Sequence, residues 1–541
     1  MLTAVWRWID LNILALGREL RLSYLPPLMV YIAYGVSGLT GIVGTFFVKD
    51  YLGLSAAFLA ALAFWAGIPW VLKMPLGHLV DLIWRWKSWL VFLGAGLLAA
   101  SLAIMAGLLT DRAAMMAVMT AEAWFVLSVL LAPIGYVVQD VVADAMTVEA
   151  VPRVDAEGRP VSAEARKLMN TTMQTLGRVA LIGGLALVAA VNLYLFADVG
   201  KLSEAEKVAI YRQVYLMALA IPLVSVAGVA AAWLVRRRDV RRLVAHGMSR
   251  GEADKLYAAP VERPPPNWWI LGGSLLFVFF TLAMGFSNIP YNQEVIFLGS
   301  LAIVVFLIAK LTRELEPEAR ATLVGTAIVI FLFRATPGPG EGLTWWMIDE
   351  LKFDQRFLAV LSLIGSVLTL FGMFIFRRFM AVRSIAYVVG FLTLLGTVFV
   401  LPIVGMYYGL HQWTAAATGG VVDARFIVLV NTALESPLGQ IAMIPMLAWI
   451  ANSAPQSLKA TYFAIMASFT NLALSLSQLG TKYLNQVFTI AREVKDLASG
   501  AVQVPADYGE LGVLLIATTV IGLALPFAAI LFARITKFRS A

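Results

Sequence analysis

The residues best placed for chemistry in this chain are charges that fall inside apolar runs. Asp140 and Asp144 stand four residues apart in QDVVADAMTVEA, so they share one helix face with only Val141, Val142 and Ala143 between them. Two carboxylates a turn apart cannot face lipid. They belong in a bundle interior or wet cavity, where they either carry protons or pair with a basic residue. Arg178 is the expected partner: it lies about 11 residues into the next apolar run, near a bilayer centre at 1.5 Å per residue. Arg334 occupies the equivalent depth in a later run, and Glu435 the middle of another, beside Pro437. A guanidinium grips a carboxylate through two parallel bonds, so Arg178 and Arg334 together predict an anionic substrate. The structural alternative is that Arg334 pairs with Glu435.

The elements that position these charges are transmembrane helices. Of 541 residues, 60% are hydrophobic and 14% charged, and the mean hydropathy is +0.83. That composition describes an all-α polytopic membrane protein. With no cysteine and three scattered histidines, there is no thiol chemistry and no metal-ligand spacing, and no cofactor is expected. The net charge of +8 reads as basic cytoplasmic loops rather than a nucleic-acid surface. Intramembrane aspartate pairs also occur in membrane proteases, but those come from two helices and leave a repeat unexplained.

That repeat centres on FLFRATPGPGEGLTWWMIDELKFDQRFLAVL, Phe331 to Leu361. Two prolines and three glycines between Pro337 and Gly342 predict a discontinuous helix. Residues 343–361 align without gaps on 44–62, matching Thr45, Asp50, Leu52, Phe58, Leu59, Ala60 and Leu62 with Thr344, Asp349, Leu351, Phe357, Leu358, Ala359 and Leu361. Gly35, Gly38, Gly41 and Gly44 fall opposite the break and read first as a close-packing face. Two repeats weakened at one place mark a transporter's binding site. Backbone groups freed by the break are expected to face a polar cavity or ligand.

Apolar runs divide the chain into a cytoplasmic amphipathic segment (1–24), an N-terminal six-helix bundle (25–235), a basic cytoplasmic linker (236–267), an extra transmembrane hairpin (268–312) and a C-terminal six-helix bundle (320–541). The total is about 14 helices with both termini cytoplasmic, an orientation anchored by Arg236, Arg237, Arg238, Arg241 and Arg242. After the second run, KMPLGHLVDLIWRWKSW places Gly77 and Asp81 before Arg85 and Lys87. The glycine is expected to let two helix ends approach, and the aspartate to latch the cytoplasmic gate. Trp345 is a candidate substrate contact or belt residue, and Asn471 a substrate contact or an interhelical hydrogen bond.

KMPLGHLVD resembles the loop signature of the major facilitator superfamily. Together with DVVADAMTVE, the ATPGPG to WWMIDELKF segment and ATYFAIMASFTNLALSLSQLG, it resembles the folate–biopterin transporter family within that superfamily. The resemblance covers both halves but not the central hairpin. It implies secondary transport of folates or pterins across the cell inner membrane, coupled to protons. A buried carboxylate suits the donor edge of a pterin ring, and Arg178 or Arg334 suits the glutamate tail.

Overall fold

The computed structural model describes the chain except residues 1–5, 7–9, 11–13, 53, 72, 153, 156–158, 259–267, 286, 288, 315, 377–378, 380–382, 440, 442–458, 496–501, 537 and 539–541. The expected amphipathic segment 1–24 therefore falls largely outside the described residues. The N-terminal half comprises α1 (Leu25–Val36), α2 (Gly41–Tyr51), α3 (Ala56–Val71), α4 (Lys73–Leu82), α5 (Ser88–Thr110), α6 (Ala121–Ala150), α7 (Ala163–Leu195), α8 (Glu204–Ala218) and α9 (Ala220–Ala245). A hairpin follows, α10 (Trp268–Gly285) and α11 (Asn292–Leu311). The C-terminal half comprises α12 (Pro317–Arg334), α13 (Glu341–Asp349), α14 (Gln355–Ile375), α15 (Ile385–Tyr407), α16 (Ala424–Glu435), α17 (Lys459–Val487) and α18 (Leu511–Ile535). Strands β1 (Val494–Lys495) and β2 (Val502–Val504) form a small antiparallel pair between α17 and α18. The end of the bundle carrying connections 52–55, 350–354 and 488–510 is termed distal.

Local chemistry sets the boundaries. Pro26 and Pro27 open α1, where the missing amide donors cost nothing, and Thr120, Ser162 and Ser203 cap α6, α7 and α8 through their hydroxyls. Ten helices among the described residues are long and apolar enough to cross a membrane. The other expected spans fall short in length or in apolarity. The apolar part of α10 is short, the first helix of the second repeat stops at Arg334, α16 ends at Glu435 in a turn, and α17 carries Ser, Thr, Asn and Lys along its length. The halves meet through α3 on α17 and α7 on α14. The hairpin lies along the first of these seams: Gln293 donates to the Ala61 carbonyl (3.1 Å), and Lys482 of α17 contacts Glu294 (2.5 Å).

Within the N-terminal half the backbones of α1 and α7, and of α5 and α6, touch. A Cβ on Gly35 would lie 2.2 Å from the Leu181 carbonyl oxygen, and one on Gly94 2.5 Å from that of Gly135. Gly41 has open space around it, so the glycine run of the first repeat packs closely at its start and not throughout. Overpacking predicts that Gly35→Ala and Gly94→Ala each lose roughly 1–3 kcal/mol, whereas Gly41→Ala is neutral or slightly stabilising. Thermal unfolding in detergent measures this, and equal losses at all three positions would contradict close packing as the cause.

Candidate functional site

The site is built where α3 hands over to α4. Pro75 has no amide hydrogen, so the Val71 carbonyl loses its helical donor. The hydroxyl of Ser468, on α17, donates to it at 2.8 Å, and Asn471 donates to the Trp70 carbonyl at 3.0 Å. Two residues before Pro75, Lys73 meets α6, where its Nζ lies 2.6 Å from Asp140 Oδ2 and 2.8 Å from Asp144 Oδ2. Tyr31 of α1 donates its hydroxyl to the other oxygen of Asp144 at 2.7 Å. One cation thus stands between two carboxylates. A cleft lined by Tyr31, Tyr34, Tyr136, Gln139, Asp140 and Ser225 opens beside them.

Arg178 is half-buried on α7 and near enough to act electrostatically on Tyr31, Tyr34 and Asp140. It makes no ion pair or hydrogen bond among the described residues. The expected pairing of the aspartates with Arg178 is therefore corrected: Lys73 takes that role. Lys73 and Tyr31 do not stand out in the sequence alone. The signal for Lys73 is the Lys-x-Pro spacing, which puts a cation beside an orphaned carbonyl.

The break at Pro337 to Gly342 is real, with coil between α12 and α13. Its freed groups do not wait for a ligand. Ser477 donates to the Thr336 carbonyl (2.7 Å), the Gly338 amide donates to Thr481 Oγ1 (3.1 Å), and Asn485 donates to the Pro339 carbonyl (3.2 Å). The α17 side chains supply what lipid cannot, which corrects the expectation of a cavity or substrate there. Arg334 donates through Nε to the Thr470 carbonyl at 3.2 Å, on the same helix. Glu435 is exposed at the last residue of α16, where a short turn containing Pro437 interrupts the span, and no ion pair joins it to Arg334 among the described residues.

Trp345 is 1% exposed in a distal apolar cluster, far from a wet cavity wall. Asn471 is taken up by the hydrogen bond to Trp70. Gly77 lies inside α4 rather than in a loop, and a Cβ there would meet nothing within 4 Å, so it is not needed for close approach. The gate side chain Asp81 lies outside the described residues.

The sequence profile described as the BT1 family matches residues 200–539. A folate-biopterin transporter of Synechocystis sp. is 24% identical over 468 residues, covering 85% of this chain and 74% of the relative. A putative folate transporter 2 of Plasmodium berghei is 25% identical over 167 residues, covering 30% of this chain and 34% of that one. Among solved structures, a POT family transporter in complex with a thioalcohol-conjugated peptide superposes with a TM-score of 0.57 at 11% identity, covering 95% and 96% of the two chains. The nucleoside transporter NupG gives 0.53 at 12%, covering 95% and 100%. The fold is that of the major facilitator superfamily.

Removing Lys73 strands two carboxylates, whereas removing a carboxylate leaves Lys73 one partner. Lys73→Met is therefore expected to destabilise more than Asp140→Asn, and a double-mutant cycle to show roughly 1–3 kcal/mol of coupling. Strict additivity in thermal unfolding would mean the triad is not energetically connected.

Proposed function

The chain belongs to the BT1 family, and on that footing we propose that it is a secondary active transporter moving a folate- or pterin-like organic anion across the cell inner membrane by alternating access, coupled to protons. The observation that carries the reading is the half-buried Arg178, without an ion pair or hydrogen bond among the described residues, beside the Asp140–Lys73–Asp144 triad. With both aspartates ionised, the two acids and the two cations balance to zero. A substrate carboxylate on Arg178 adds one negative charge, and an uncompensated charge in low dielectric is expensive. One proton taken up by Asp140 or Asp144 restores neutrality, which links anion binding to proton binding without a metal or cofactor.

The names of the two relatives support the substrate class, and Tyr31, Tyr34 and Tyr136 put aromatic side chains beside the triad. Arg334, at the matching depth of the second repeat, is the proposed holder of a second carboxylate. The five arginines at the end of α9 support a cytoplasmic position for that end and for both termini, with the distal end outward.

Thermal-shift screening of the full-length protein against pterins, folates and unrelated organic acids tests the substrate class, since a ligand of the native state raises its melting temperature. Stabilisation by unrelated acids alone would replace folate with another anion. Arg178→Lys is expected to lose roughly 1–3 kcal/mol of folate affinity while a tail-less pterin binds as before. In proteoliposomes Asp140→Asn should abolish proton-driven accumulation and leave exchange. Proton uptake intact in both Asp140→Asn and Asp144→Asn removes the pair from the coupling path.

A further inference from the structure

A second cluster of charges sits at the distal end, away from the triad. Lys49, in the last turn of α2, is 3% exposed, and its Nζ reaches Asp50 Oδ1 (3.1 Å) and Asp349 Oδ1. These aspartates are the matched pair of the sequence repeat, one from each half, and a single lysine holds both. Among the described residues this is the one ion pair that joins the two six-helix halves. Tyr508, just before α18, donates its hydroxyl to Asp349, and burial together with that bond pushes the phenol well above its usual range, keeping it a donor.

Arg492 completes the cluster. It is 5% exposed, it follows the bridge between Ala491 and Asp507, and it donates to the carbonyls of Lys49 (2.9 Å) and Leu54. The Lys49 carbonyl is among the last four of α2, which have no donor within their own helix, so an arginine of one half caps a helix of the other. Its guanidinium also lies 4.8 Å from the Trp345 ring centre. Nearby, Gln355 bonds Tyr211 (2.5 Å) and Arg356 the Ala197 carbonyl (3.0 Å), again across the halves.

We propose that Lys49, Asp50, Asp349 and Arg492 form the outer gate of the transporter, a clasp that closes the distal end in this conformation and must break for that end to open. Charge suits this task better than apolar packing. Two cations and two carboxylates that separate are rehydrated, which returns much of the desolvation cost, so the sealed state is specific without being deep. An apolar seal of the same size would be penalised by its full exposed area on every opening.

The clasp rests on the alternating-access part of the function proposed above but on neither its substrate nor its coupling ion. Thr45 lies one turn inward from Lys49 on the same helix face, and the chain has no cysteine, so Thr45→Cys is a clean reporter for a membrane-impermeant maleimide applied from the distal side in vesicles without substrate. Both Lys49→Met and Asp349→Asn are expected to label about tenfold faster, as a shift of open population would produce. Lys49→Arg should restore slow labelling. Arg159→Met, which breaks the exposed Arg159–Asp155 pair (2.8 Å) within one half, controls for general loosening and should label as the parent does. If Lys49→Met does not fold, Asp349→Asn decides alone. Unchanged labelling in folded Asp349→Asn, or equal acceleration in Arg159→Met, overturns the clasp. Folate-dependent stabilisation measured on the same proteins reads the substrate proposal separately, so each can fail without the other.

Discussion

A lipid interior offers no hydrogen bonds, so every main-chain group that a proline or glycine releases must be met by another part of the protein. Helix α17 does this work at two places on two different elements. Along one stretch Ser468 and Asn471 bond the carbonyls of Val71 and Trp70 at the α3–α4 joint, and along the next Ser477, Thr481 and Asn485 bond the broken stretch between α12 and α13. The polarity of α17 follows from this. It is the helix that repairs the defects of its neighbours, and it therefore ties the two halves together at mid-membrane depth. The hairpin α10–α11, docked on α17 through Glu294 and on α3 through Gln293, braces the same seam.

Beside that seam, the proline that frees the Val71 carbonyl lies two residues after the lysine that meets α6. Ser468 answers the freed carbonyl, and Asp140 and Asp144 hold Lys73 at 2.6 and 2.8 Å. The backbone defect and the charge cluster are therefore neighbours on one stretch of chain.

What the sequence made legible was whatever is periodic or local. The shared face of Asp140 and Asp144, the helical break at Pro337, the hairpin at 268–312 and the correspondence of Asp50 with Asp349 all follow from spacing along the chain. Partners distant in sequence were not legible. Lys73 is 67 residues from Asp140, and Arg178 looked equally good because depth in the membrane says nothing about azimuth around the bundle. The break was read as a ligand site for the same reason: its satisfaction by Ser477, Thr481 and Asn485 comes from more than 140 residues away. Trp345 was found by its repeat position, but whether that position faces a cavity or a sealed cluster depends on Arg492 and on packing that no local pattern records.

The two charge clusters share a design that the chemistry of the side chains explains. In each, a lysine sits between two aspartates, Lys73 against α6 and Lys49 at the distal end. An ammonium is a compact charge with three rotatable donors, so it can serve two acids at once and leave either without losing a fixed geometry. An arginine fork is costlier to rearrange and better at static recognition. Arg492, capping the end of α2 with its planar donors, uses that rigidity, and so does Arg178 in the reading that it clamps a carboxylate. In the transport cycle proposed here, lysines stand where contacts would break and arginines where a geometry would hold.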